Sequence, residues 1–222
     1  MAFISDRDAK IVRERLGMLA GPVILTVFTQ EFECEYCRQT RELAEEVAAL
    51  SGGKVTTAVY DLVRDKVKAD EMGIDKIPAL AVLGGGGEDH GIRFFGIPAG
   101  YEFASLLESM EIVATGDSGL SLATREKLRS LPHPMDLQVF VTPTCPYCPR
   151  AVLTAFRFAM ESGNVRASMV EASEFPLLSN KYGVSGVPHT VIGDGPQPMI
   201  GAYPEAAAVD MLLAAARGMK AM

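Results

Sequence analysis

Cys34 and Cys37, in Glu33-Cys34-Glu35-Tyr36-Cys37, and Cys145 and Cys148, in Thr144-Cys145-Pro146-Tyr147-Cys148, are all four cysteines of a 222-residue chain. Two thiols three positions apart can exchange a disulfide or hold a metal. A zinc ion held by both pairs wants them about 15–20 residues apart, whereas 107 residues separate Cys37 from Cys145. That leaves redox chemistry, with no metal site. A thiolate is the nucleophile. It is stabilised at a helix N-terminus, where unpaired N–H groups and the positive end of the macrodipole face it. Cys34 and Cys145 each follow a strand-like run and are predicted to open a helix. Cys37 and Cys148 then lie one turn in, on the same face. The outer sulfur attacks a substrate disulfide and the inner one resolves the mixed disulfide.

The elements that must hold these pairs occur twice. The first series runs Ile24–Phe28, the Cys34 pair, a helical stretch with Leu43, Val47 and Leu50, then VTTAVYD, Met72-Gly73, Ile77-Pro78 and Phe95-Gly96. The second runs Leu137–Val141, the Cys145 pair, a helical stretch with Val152, Phe156 and Ala159, then RASMVEA, Tyr182-Gly183, Val187-Pro188 and Ile200-Gly201. The gap from inner cysteine to proline is 41 residues in one series and 40 in the other, so the chain is read as an internal duplication. Strands are expected at 23–28 and 137–141, and leading helices at about Asp6–Met18 and Ser121–Ser130. Gly84-Gly85-Gly86-Gly87 has no following helix or lysine and reads as a hairpin loop, not a phosphate cradle. The polar stretch Thr115–Gly119 marks the boundary, giving units 1–116 (CEYC) and 117–222 (CPYC). The order of elements implies an α/β fold of two tandem thioredoxin-fold units, each a central mixed β-sheet flanked by helices. Pro78 and Pro188, at matched spacing before a strand, are expected to be cis. A cis bond would leave the backbone of Ile77 and Val187 free to bind an extended substrate peptide.

The segments GIRFFGIPAGYEF, VFVTPTCPYCPRAV, GVPHTVI and GAYPE resemble the two-unit, glutaredoxin-like protein disulfide oxidoreductases of thermophiles, from about residue 20 to the C-terminus. The resemblance implies dithiol–disulfide exchange on protein substrates, with Cys34, Cys37, Cys145 and Cys148 as redox residues and cis turns at Pro78 and Pro188. It implies no bound cofactor beyond the redox-active disulfides. Electrons would come from NADPH through a thioredoxin reductase. Two other readings stand beside it: an electron relay to a peroxiredoxin, and a peptide-binding holdase without turnover.

The remaining sequence narrows the field. A formal net charge of −7 argues against a nucleic-acid partner. No run is long and apolar enough to span a bilayer. The N-terminus lacks the apolar stretch of a secretory signal, so a cytoplasmic protein is expected. Unlike a thioredoxin, the strand before each pair carries no acid. Asp61 and Glu171 follow the next strand at matching places and are candidates to deprotonate the inner cysteines. Glu31, Glu33 and Glu35 surround Cys34, partly offset by Arg38 and Arg41, whereas prolines surround Cys145 and Arg150 is its nearest charge. Like charge disfavours a thiolate, so Cys145 is expected to be the more acidic thiol and the second pair the stronger oxidant. His189, next to Pro188, is a candidate to stabilise that thiolate.

Overall fold

The computed structural model describes residues 3–193, 195 and 197–218. The outer ends of the expected units, residues 1–2 and 219–222, lie outside them. The first series forms α1 (Asp6–Gly17), β1 (Val23–Thr29), α2 (Cys37–Leu50), β2 (Val55–Asp61), α3 (Lys66–Glu71), β3 (Ala79–Gly84), β4 (Asp89–Phe95) and α4 (Glu102–Thr115). The second forms α5 (Leu122–Arg129), β5 (Met135–Val141), α6 (Cys148–Glu161), β6 (Val165–Glu171), α7 (Pro176–Lys181), β7 (His189–Ile192), β8 (Met199–Ile200) and α8 (Glu205–Gly218). The leading helices begin where a serine can cap them. Ser5 Oγ accepts from Asp8 N–H and Ser121 Oγ from Thr124 N–H, each satisfying an orphan donor. The glycine run is a hairpin loop, as its composition predicts. Gly87 takes φ 90° and Glu88 accepts from Gly86 N–H at 3.0 Å.

The eight strands form one sheet in the order β2-β1-β3-β4-β6-β5-β7-β8. The order 2-1-3-4 thus recurs as 6-5-7-8, which is the duplication expressed in space. Within each half the first pairing is parallel and the next two antiparallel. The halves join through β4 and β6, parallel from Ile92↔Ala167 to Phe95↔Val170.

Strand alternation sorts the side chains into two layers. Leu25, Val27, Val139 and Val141 face one side with α2, α4, α6 and α8, in a core that includes Cys145 and Cys148. Phe28, Phe140, Val170 and Val191 face the other side with α3 and α7. Phe94 on β4 meets Phe156 on α6 edge-on at 5.0 Å between centroids, so the larger core runs across the junction of the halves. No helix among the described residues is long and apolar enough to cross a membrane.

The junction is tight where β4 ends. Gly96 has φ +92°, and a Cβ there would lie 2.6 Å from Glu171 Cβ and 3.0 Å from Glu174 Oε1. Gly96→Ala adds a positive-φ penalty to an overpacked contact. It is expected to cost about 2–4 kcal/mol in urea unfolding, against no change for Gly163→Ala, where nothing lies within 4 Å.

Candidate active site

α2 and α6 begin on the inner cysteines, with Tyr36 and Tyr147 at the N-cap positions. The outer cysteines, predicted to open these helices, instead lie in the turns just ahead. Before α6 the chain folds back, with Cys145 N–H donating to Thr142 O at 3.1 Å. Before α2, Glu33 takes φ 58°, the one non-glycine residue among those described with positive φ. Neither α2 nor α6 has a side-chain cap. Their first N–H groups therefore have no side-chain partner, which leaves donors available to a developing thiolate.

Both pairs are closed as disulfides, Cys34–Cys37 and Cys145–Cys148, each with Cα atoms 5.5 Å apart. The inner cysteines are 1% and 0% exposed. Cys34 is half-buried and Cys145 is 8% exposed, so in both pairs the outer residue is the more exposed one. Ile77–Pro78 and Val187–Pro188 are both cis, as expected. Phe28 pairs with Ala79 and Phe140 with His189. Pro78 and Pro188 therefore sit at the sheet edge from which the chain leaves for Cys34 and Cys145. Pro78 O accepts from Gly96 N–H and Pro188 O from Gly201 N–H. The backbone of Ile77 and Val187 has no hydrogen bond among the described residues.

The other candidates divide. Asp61 accepts from Val63 and Arg64 N–H at 2.9 and 2.8 Å, which holds its carboxyl below the usual range; it closes a turn. Glu171 is buried, and its Oε2 accepts from Glu174 N–H at 2.6 Å. Glu174 in turn accepts from Ile97 N–H at 2.7 Å. Burial pushes the Glu174 carboxyl up to about 7, with the Ile97 N–H opposing and the charges of Glu171 and Glu35 adding to the rise. Tyr36, between the first two cysteines, is pushed up by Glu35 first and by Glu174 and Glu171 as well. The Glu171–Glu174 turn of the second half packs on Gly96, whose N–H donates to Pro78 O, and so lies on the cis-proline side of the first half.

His189 is buried edge-on to Phe140. It shares strand parity with Val191, so its imidazole is on the α7 side, whereas Cys145 and Cys148 belong to the α6 side. The sheet separates it from the thiolate it was expected to stabilise, and burial pushes its pKa down.

Glu102 was not singled out by its sequence context. It is the first residue of α4 and 1% exposed, with both carboxyl oxygens buried and unpartnered among the described residues. Burial pushes it up to about 7. The preceding residue, Tyr101, donates its N–H to Pro143 O at 3.0 Å, which sets the start of α4 against the second redox loop. An acidic residue in a first helical turn is common, and Glu205 occupies the same place in α8. Only the packing of α4 along α6, sealed by Arg157–Glu108 at 2.9 Å, distinguishes Glu102.

A thioredoxin-domain family model matches residues 135–214. A protein disulfide oxidoreductase from Aeropyrum pernix K1 is 32% identical, with a TM-score of 0.88 over 100% of this chain and 97% of that one. This chain belongs to the protein disulfide oxidoreductase family. It is also similar to a component of another enzyme. The alkylhydroperoxide reductase AhpF from Enterococcus faecalis is 27% identical, with a TM-score of 0.87 over 95% of this chain and 100% of that one. Its counterpart in the alkyl hydroperoxide reductase of Pseudomonas putida is 25% identical over 146 residues, which is 63% of this chain and 28% of that protein. The chain spans about a quarter to a third of the length of the curated relatives it matches.

Glu102 ionises near 4.5 when unfolded and near 7 when folded. Deprotonation therefore favours the unfolded chain as pH rises from 4.5 to 7, and the loss levels off above 7. Glu102→Gln is expected to stabilise the protein by about 3 kcal/mol at pH 8 and to leave it unchanged at pH 4.5, read from urea midpoints at the two pH values.

Proposed function

We propose that this protein catalyses thiol–disulfide exchange on disulfide-containing proteins, reducing, oxidising or isomerising their bonds through two C-x-x-C sites. The observation that carries the reading is a pair of disulfides, each at the open start of a helix, in a chain alike over its full length to a protein disulfide oxidoreductase. Residues 1–116 and 117–222 are taken as the two units, each with one site. Cys34 and Cys145 attack; Cys37 and Cys148 resolve. The thiolate of an outer cysteine bonds to one substrate sulfur and expels the other as a thiolate. The inner thiolate then displaces the first, closing the protein disulfide and transferring two electrons to the substrate. The unengaged backbone of Ile77 and Val187 beside Pro78 and Pro188 is suited to hold an extended peptide across each site.

Electrons from NADPH through a thioredoxin reductase would restore the dithiols, and a reducing cytoplasm is the compartment in which that cycle runs. Similarity to AhpF supports a second reading, a relay to a peroxiredoxin. Insulin reduction by dithiothreitol separates the two. The protein is expected to speed precipitation of the insulin B chain, Cys34→Ser and Cys145→Ser each to retain part of that rate, and the double variant none. Cys148→Ser is expected to accumulate a mixed disulfide with substrate on non-reducing gels. No acceleration of insulin reduction, with support for peroxide reduction instead, would favour the relay.

A further inference from the structure

The two redox loops present opposite faces. Glu31, Glu33 and Glu35 are all exposed around Cys34, with Phe32 72% exposed among them. The arginines that follow do not neutralise them. Arg38 turns to Glu42 at 3.9 Å and Arg41 to Glu45 at 2.7 Å, along their own helix. The second half adds Glu171 and Glu174, close enough for their charges to act on Tyr36. The packing of Gly96 and the Ile97 N–H hold that turn in place. None of these five carboxyls joins an ion pair among the described residues. Glu171 is 3% exposed with its Oε1 unpartnered. Around Cys145 the exposed residues are Thr144, Pro146 and Tyr147, and the nearest charge is the exposed Arg150.

We propose that the first site is selective for disulfides in cationic polypeptide segments, and that the second half of the molecule supplies part of that selectivity through the Glu171–Glu174 turn. The proposal rests on the reading of the protein as a disulfide oxidoreductase. A field of one sign at a cleft raises the encounter rate of oppositely charged partners and lowers that of like-charged ones, in a salt-dependent way. Phe32 adds an aromatic face for a lysine or arginine flanking the target cysteine. A flanking cation also lowers the pKa of the substrate thiol that departs, and a more acidic thiol leaves faster. The Cys34 thiolate bonds to one peptide sulfur and the peptide S–S bond breaks. The Cys37 thiolate then displaces the peptide, the protein pair loses two electrons, and the two peptide thiolates take protons from water. The second site, lacking this field, handles neutral and apolar segments without charge preference.

The test uses the full chain with one site left intact. Cys145→Ser/Cys148→Ser keeps the first site and Cys34→Ser/Cys37→Ser the second. Each is assayed at pH 8.5, above the Glu174 value of about 7, for kcat/KM on three disulfide peptides identical except for lysine, glutamate or serine flanking the cysteines. The first-site variant is expected to prefer the lysine peptide over the glutamate peptide by ~10-fold or more at low salt, shrinking several-fold on raising salt. The second-site variant is expected to separate them by less than ~2-fold. Adding Glu31→Gln, Glu33→Gln and Glu35→Gln to the first-site variant removes most of the preference; adding Glu174→Gln removes part of it. Turnover of the serine peptide with equal or reversed charge preference at the first site, or the same preference at both sites, overturns the charge selectivity alone. Turnover of none of the three peptides overturns the oxidoreductase reading and this proposal with it.

Discussion

The structure depends on a helix N-terminus left open toward a sulfur atom. A helix start carries unpaired N–H donors that must find partners. In α1 and α5 a serine hydroxyl supplies one. In α2 and α6 the N-cap residue is a tyrosine whose side chain caps nothing, and the outer cysteine stands just ahead. The N–H groups that a serine would occupy are thereby left without a side-chain partner. The remainder of each half serves to hold that geometry. A strand delivers the outer cysteine, the inner one is buried as the first residue of the helix, and a cis proline lies across the edge of the sheet.

A second constraint is that neither redox loop is surrounded by its own half alone. The β4–β6 pairing brings the connector after β4 between the two sites. At one end of it Ile97 N–H holds Glu174 beside the first loop, and at the other Tyr101 N–H holds Pro143 in the second. The halves thus exchange environments. The turn carrying Glu171 and Glu174 in the second half packs on Gly96 of the first, and the start of α4 in the first half packs on Pro143 of the second. Duplicate sequences placed side by side in one sheet acquire different surroundings, because the units flanking them are not equivalent.

Most of the fold was legible because it rests on local pattern. Apolar β-branched runs marked β1 and β5, helical spacing marked α2 and α6, and the matched interval from cysteine to proline marked both cis turns. The two cysteine pairs that close as disulfides were legible from spacing and element order. The starts of α2 and α6 were misplaced by three residues, because the turns at Glu33 and Thr142 are conformational facts with no distinct residue signal. His189 was misread since proximity in sequence to Pro188 says nothing about which face of β7 a side chain occupies. Glu171 was recognised as a candidate, but for its own half, and only the junction of the halves shows that it packs on Gly96 of the other. Glu102 was missed because its burial arises from packing between α4 and α6, contacts far apart in sequence. Pairs of residues that meet across the two halves are where a reading of the chain alone stops.

The claim on which the account turns is that the open helix starts stabilise the outer thiolates, and the most direct measurement is an ultraviolet thiolate titration of the reduced protein. With Cys34→Ser and Cys145→Ser assigning the steps, Cys34 and Cys145 are predicted to ionise below the ordinary thiol value of about 8.5, Cys145 at the lower pH, and the inner cysteines above them. Four thiols that all ionise at or above the ordinary value would contradict it.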